Sequence, residues 1–365
     1  MTNRSIAHAR LCNSRLIGDP FGAPLDVVRW FGAVQSQDIP GAMWAVAQRM
    51  PPATTLADVE AALDAGMVVR THVLRPTWHF VAPDELRWLE ALTGPRVQRA
   101  NDHVGRRRLG IDRTTFDRAN EVIRVALSGG PLAREGLRAA LMEAGIPFAD
   151  PNALSHLLMN AELDAVICSG PRVGRQATYA LVDEWIAPVP PRDPDLALRD
   201  LTIRYFRSHG PALVHDMAWW SGLTVTDVRH GIELGGDVLE ERIVDGKRYV
   251  AGRGRFQPAD VPDPHVLLLS NYDEYLGSYT DYGPVYAESL PKTRTIADVL
   301  GGHIVVRDGL VVGGWRRQLR PDRARATVTL LMPFTATELD ALAEEADRWA
   351  RFMGLPLELQ VARND

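Results

Sequence analysis

Two carboxamides stand one residue apart in Val34-Gln35-Ser36-Gln37-Asp38-Ile39-Pro40. A carboxamide is neutral, donates through its NH2 and accepts through its carbonyl. A pair aimed at one point can hold a water or turn its dipoles toward developing positive charge. Convergence has a backbone condition: side chains at i and i+2 do not share a helix face, so Gln35 and Gln37 meet only where the chain has left the helix. Leu25, Val28, Trp30, Phe31 and Val34 recur at helical spacing, which predicts a helix that fades out at the glutamines. Pro40 disfavours helix at Ile39 before it. The same residues also fit a plain polar helix exit feeding a turn, with Asp38 capping the helix that follows.

Other chemistry-bearing groups are few. Asp273 and Glu274 lie between Tyr272 and Tyr275, a setting that suits acid–base work, a stacking surface, or the holding of an arginine from a neighbouring element. His72 and His79 share a predicted hairpin and read as structural. Cys12 and Cys168, the only cysteines, build no disulfide framework and show no metal-ligand spacing. There is no His-Glu-x-x-His helix, Walker loop, dinucleotide fingerprint or nucleophile elbow. No metal and no cofactor is therefore expected.

Composition narrows the class. The 365 residues are 46% hydrophobic and 24% charged, exceed the usual roughly 100–200 residues of one domain, and contain no apolar run of the ~18 residues that a membrane helix needs. Met1 to Arg15 lacks the apolar centre of a signal peptide, so a cytoplasmic location is expected. A net charge of -5 argues against a uniformly basic nucleic-acid binder. The charge is unevenly spread, however. Arg96, Arg99, Arg106, Arg107, Arg108 and Arg113 crowd one segment and Arg316, Arg317, Arg320, Arg323 and Arg325 another, while Glu338, Asp340, Glu344, Glu345 and Asp347 gather near the end. A basic face and an acidic back follow from that distribution. Lys247 and Lys292 are the only lysines; arginine suits phosphate forks, and a GC-rich genome gives the same bias.

The elements that must position these groups repeat. Helices are predicted over 5–16, 24 to the glutamines, 41–49 and 56–65, followed by strands Val68–Leu74 and Thr77–Val81 closing around Arg75-Pro76. Helix patterns at 116–127, 134–143 and 152–161 precede strands 165–168 and 178–182, with Arg172 and Arg175 at the hairpin tip. After the proline-rich 188–194, helices at 201–208, 213–220 and 226–234 lead to a hairpin over 238–250 centred on Asp245-Gly246. Ala218 and Gly222 fit a helix-turn-helix. Helices followed by a hairpin wing, three times over, predict an α+β protein of three tandem winged-helix units, 1–110, 111–190 and 191–257. Strands at 266–269, 303–306, 310–315 and 326–332 and a helix over 336–352 predict a small α+β domain over 258–365.

At this level the motifs resemble a known family. Val34 to Asp38, Arg70-Thr71-His72-Val73-Leu74-Arg75-Pro76-Thr77-Trp78-His79, Tyr272-Asp273-Glu274-Tyr275-Leu276 and Val311-Val312-Gly313-Gly314-Trp315 together are similar to the AlkZ/YcaQ-like winged-helix DNA glycosylases, over nearly the whole chain. The resemblance implies a concave tandem winged-helix protein that excises alkylated, mostly N7-substituted purines, cross-links between strands included. It makes Gln35 and Gln37 the catalytic pair, because Gln-x-Gln marks the AlkZ branch where Gln-x-Asp marks the other. Double-stranded DNA is the implied partner of a monomer, with Arg75, Trp78, His79, Arg175, Arg316 and Arg317 as candidate contacts. The alternative is a winged-helix DNA binder or transcription regulator without catalysis, laying 226–234 in a major groove with Arg229 and His230 as readers.

Overall fold

The computed structural model describes residues 2–146, 150, 152–174, 176–257, 261–286 and 302–363. It is a mixed α+β chain. Helix α1 (Asn3–Asn13) starts from a Thr2/Ser5 capping box, and α2 (Pro24–Phe31) stops where Gly32 takes φ 88°, a left-handed turn that glycine tolerates. Strand β1 (Val34–Gln35) follows, then α3 (Ile39–Ala47), α4 (Leu56–Asp64) and the hairpin of β2 (Val69–His72) and β3 (Trp78–Val81). The three strands form an antiparallel sheet ordered β1-β3-β2, with His79 opposite both Gln35 and Thr71. The helix predicted to carry Val34 thus ends at Phe31, and Val34 is a strand residue. Pro40 does not delay α3 either: it sits in the first turn, where a missing N–H leaves nothing unsatisfied.

Helix α5 (Leu86–Val104) and a π turn (Gly105–Leu109) lead into a similar order: α6 (Arg113–Leu127), β4 (Leu132–Ala133), α7 (Arg134–Glu143), α8 (Ala153–Leu163), β5 (Ile167–Val173) and β6 (Gln176–Leu181). The sheet order is β4-β6-β5. Beyond α9 (Val182–Trp185) come α10 (Pro194–Ser208), α11 (Val214–Ser221), α12 (Val225–Gly235) and the hairpin of β7 (Leu239–Val244) and β8 (Lys247–Gly252), whose partner on the other side is Ala212, bridged to Val250. Asp245 (φ 48°) and Gly246 (φ 74°) make the two-residue turn. Pro194, read from sequence as linker, is instead the first residue of α10, capped by Asp193.

The remaining strands β9 (Val266–Leu269), β10 (His303–Arg307), β11 (Leu310–Leu319), β12 (Ala324–Leu330) and β13 (Leu357–Arg363) form one sheet ordered β13-β12-β11-β10-β9, antiparallel except for the β12–β13 pair. Short α13 (Glu274–Gly277) and long α14 (Ala336–Phe352) complete the chain. No helix among the described residues is long and apolar enough to cross a membrane.

Packing holds β1 between two cores. One core joins Val34, Phe31 and Trp44 to Leu268, Trp315, Val328 and Trp349 of the C-terminal sheet and helix. A second joins Ala33, Val73, Leu74 and Leu89 to Tyr205 and Trp220 of α10 and α11. Consecutive residues Ala33 and Val34 therefore anchor in two different cores. Each large buried side chain contributes ~1.5–3 kcal/mol, so the strand carrying Gln35 is fixed from both faces. The segment 111–181 instead closes its own core around Phe116, Ile123, Leu137, Leu157 and Ile167.

Candidate active site

Gln35 is 7% exposed and held at three points. Its side-chain Oε1 accepts from Arg75 Nη2 at 2.9 Å, its backbone N–H donates to Glu274 Oε1 at 2.8 Å, and its main chain pairs with β3. The next residue continues the extended path: Ser36 N–H donates to the Trp78 carbonyl at 2.7 Å and the Ser36 carbonyl accepts from Arg70 Nε at 3.2 Å. The strand ends there: Gln37 and Asp38 form a bend that leads into α3, and Gln37 is not among the residues that line the cavity beside Gln35. Gln37 is exposed. It is the freer amide of the pair, since one lone pair of Gln35 is already used by Arg75.

Glu274 organises the floor of the site. Buried within the fold, it also accepts from His209 Nε2 (3.1 Å), Trp220 Nε1 (2.9 Å) and Ser278 Oγ. Burial by itself would raise its carboxyl; the bond and charge of His209, with the Ser278 and Gln35 donors, outweigh that and bring it down to about 2. Arg75 makes no ion pair among the described residues. Its guanidinium stands 4.9 Å over the Trp219 ring and its Nε has no hydrogen-bond partner. Burial lowers its pKa, and the nearby Glu274 carboxylate works against that. A cavity of about 220 Å³ opens here, lined by Gln35, Arg75, Trp219, Tyr272 and Tyr282 among others.

The other candidates are placed as follows. His79, expected at a DNA-facing surface, is fully buried because β3 is the central strand of its sheet. Its Nδ1 lies 2.9 Å from the Thr77 carbonyl, and burial together with the Arg75 charge pushes its pKa down to about 3, so the ring is neutral at pH 7. Trp78 is half-buried, donates to Glu162 Oε1 at 3.2 Å and carries the Arg70 guanidinium 4.3 Å above its ring. Arg317 grips both oxygens of Asp38. Asp38 therefore does not cap α3 through its side chain; the long guanidinium reaching over from β11 takes both of its oxygens. Arg316, the residue before Arg317, is exposed and makes no ion pair among the described residues. Arg175 lies outside the described residues, and its neighbour Arg172 is committed to Asp64 and Glu60. Asp273 holds Arg49 at 2.9 and 3.0 Å, the arginine-holding role expected as one option. Arg96, Arg99, Arg106, Arg107 and Arg108 are exposed on α5 and the π turn, free of ion pairs among the described residues, whereas Arg113 is paired with Asp164 and Asp117. Glu274 as the anchor of Gln35, and Trp219 beside Arg75, were not foreseeable. The Gln35–Glu274 contact spans 239 residues, and neither residue carries a local signal of the other.

The family profile described as DNA glycosylase AlkZ-like matches residues 28–352. The chain belongs to the AlkZ-like DNA glycosylase family. Its enzyme class is accordingly that of the DNA glycosylases, which hydrolyse N-glycosidic bonds. The solved structure of the Streptomyces sahachiroi DNA glycosylase AlkZ is similar to this glycosylase with a TM-score of 0.75, covering 99% of this chain and 100% of that one at 23% identity. That likeness shows a shared fold. No curated protein matches the sequence.

Proposed function

We propose that this glycosylase hydrolyses the bond between deoxyribose and an N7-alkylated purine in double-stranded DNA, cross-linked strands included, with Gln35 and Gln37 at the chemical centre. The observation that carries this reading is the anchoring of Gln35 by Arg75 and Glu274 on an extended strand beside a cavity, with Gln37 exposed two residues on. A purine alkylated at N7 already carries positive charge, so its glycosidic bond needs less acid assistance than the two-carboxylate chemistry of sugar hydrolysis. What remains is to place a water and to face an oxocarbenium-like sugar. The Gln37 carbonyl accepts from the water, and the amide dipoles meet the cation. The scheme uses no metal and no cofactor.

In this reading the three helix-and-hairpin segments are winged-helix units, 1–110, 111–190 and 191–257, set around a concave surface, with 258–365 as an α+β domain behind the first. The recurring element order supports it. Arg75, Trp78, Arg175, Arg316 and Arg317 contact DNA, Arg317 while still orienting Asp38, and His79 supports them from beneath. The enzyme works as a cytoplasmic monomer. Incubating the purified chain with duplexes containing 7-methylguanine, and with a cross-linked duplex, tests the substrate class: free base or unhooked strands are expected, and intact duplexes in both cases refute it.

A further inference from the structure

Among the described residues, only three aromatic side chains are strongly exposed: Trp219 at 50%, Tyr272 at 44% and Tyr282 at 36%. All three line the one cavity that holds Gln35 and Arg75. Exposed aromatic rings gathered at one site point to an aromatic occupant. At about 220 Å³ the space falls below the roughly 300–1,000 Å³ of drug-sized ligand sites, which favours one flat ring system. Tyr272 is held at φ 66°, a conformation that is uncommon and strained for a bulky residue and that tends to persist at ligand clamps.

The charge of the cavity says which ring. Arg75 is the charged residue of the lining; the nearby Glu274 carboxylate stays outside that lining, taken up by Gln35, His209, Trp220 and Ser278. Arg75 itself is flanked by a neutral amide and an aromatic face, has no ion-pair partner among the described residues, and leaves its Nε unpaired. A guanidinium so placed repels a cation and donates to carbonyl and ring-nitrogen acceptors. We infer that this cavity receives the departing purine in its neutral form, gripped by the aromatic rings with Arg75 donating to its acceptor edge, so that Arg75 is a leaving-group residue. The inference rests on the base-release reading. As the C1′–N9 bond breaks, its electron pair goes to N9 and the base changes from cation to neutral N7-alkylguanine. The sugar takes the positive charge and then the hydroxide of a water, whose other proton goes to solvent. Repulsion from Arg75 is greatest in the ground state and fades as the bond breaks, and an interaction that improves along the reaction path is one that accelerates it.

Equilibrium dialysis of the full chain, without DNA, in mildly acidic buffer, against 7-methylguanine, which is neutral there, and 7,9-dimethylguaninium, which is cationic there because its N1 proton is shed only near neutrality, reads the cavity directly. The neutral base is expected to bind at least tenfold more tightly, and Arg75→Gln to erase the preference. Trp219→Leu and Tyr282→Leu, both at exposed positions, are expected to weaken the neutral base about tenfold. Equal binding of the two bases, binding of neither, or wild-type affinity in both aromatic variants overturns the inference. Dialysis that behaves as expected beside alkylated duplexes that stay intact would instead refute base release and leave the cavity assignment standing.

Discussion

Replacing Glu274 by glutamine keeps the shape of the side chain and removes the charge on which four donors converge. Held at about 2 against an ordinary 4.5, the folded carboxylate contributes about 3 kcal/mol at neutral pH, since each pH unit of displacement is worth ~1.4 kcal/mol. Removing one member of a buried charged network typically costs about 3–5 kcal/mol, which agrees. The sign follows from the folded value lying below the unfolded one. The contribution is complete above the unfolded value and is lost as the pH falls from there toward 2, with ~0.8 kcal/mol gone by pH 4. Urea unfolding of wild type and Glu274→Gln at pH 7 and pH 4 measures both quantities. The variant is expected to be about 3 kcal/mol less stable at pH 7, with the gap narrower at pH 4 and base release lower, because its single carbonyl oxygen turns to the side where His209, Trp220 and Ser278 converge and leaves an NH2 facing the Gln35 N–H. A pH 7 difference under ~0.5 kcal/mol, the ordinary scatter of surface substitutions, or a gap that widens toward acid, refutes the assignment of Glu274 as the charged anchor of the site.

Gly222→Ala sets a methyl carbon 2.2 Å from the Leu74 carbonyl at a φ of 70°; a loss above ~2 kcal/mol is expected in the same unfolding assay, along with weaker DNA binding through the displaced Arg75. Replacing Arg106, Arg107 and Arg108 together by glutamine is expected to flatten the dependence of log K on log salt by about 2–3, close to 0.9 for each phosphate that is no longer neutralised. Fluorescence anisotropy titrations at several salt concentrations measure it, and an unchanged slope means that this ridge does not face DNA. Cys168 is buried, with its thiol pushed up to about 12 by that burial, so at pH 8 it is expected to stay unreactive toward an aromatic disulfide reagent until the chain is unfolded in urea.

The repeating order of helices and hairpins was legible because each unit alternates clear periodicities with punctuating turns, as at Asp245-Gly246 and Arg75-Pro76. Helix α5 was not, because Gly94-Pro95 interrupts it and tertiary packing of Leu86 and Leu89 overrides the local cost. Strand β13 carried the signal, Leu357, Leu359 and Val361 in alternation, but gains its meaning only from the parallel partner β12. At the candidate site, the two glutamines stood out by spacing, and the extended backbone at Gln35 depends on Gly32, whose left-handed turn ends α2 three residues earlier than the apolar spacing indicated. The contacts that hold Gln35, from Glu274 and Arg75, and the Asp38–Arg317 pair beyond the bend span 40 to 279 residues of sequence, a separation over which side-chain chemistry leaves no local pattern.

The central claim is that Gln37, the free amide of the pair, places the attacking water. Single-turnover release of 7-methylguanine from duplex DNA by wild type and Gln37→Ala, with DNA affinity measured on the same preparations, tests it most directly. Release is expected to fall about a hundredfold while affinity stays within about threefold, as loss of a transition-state interaction requires. A Gln37→Ala chain that releases base as fast as wild type contradicts the account.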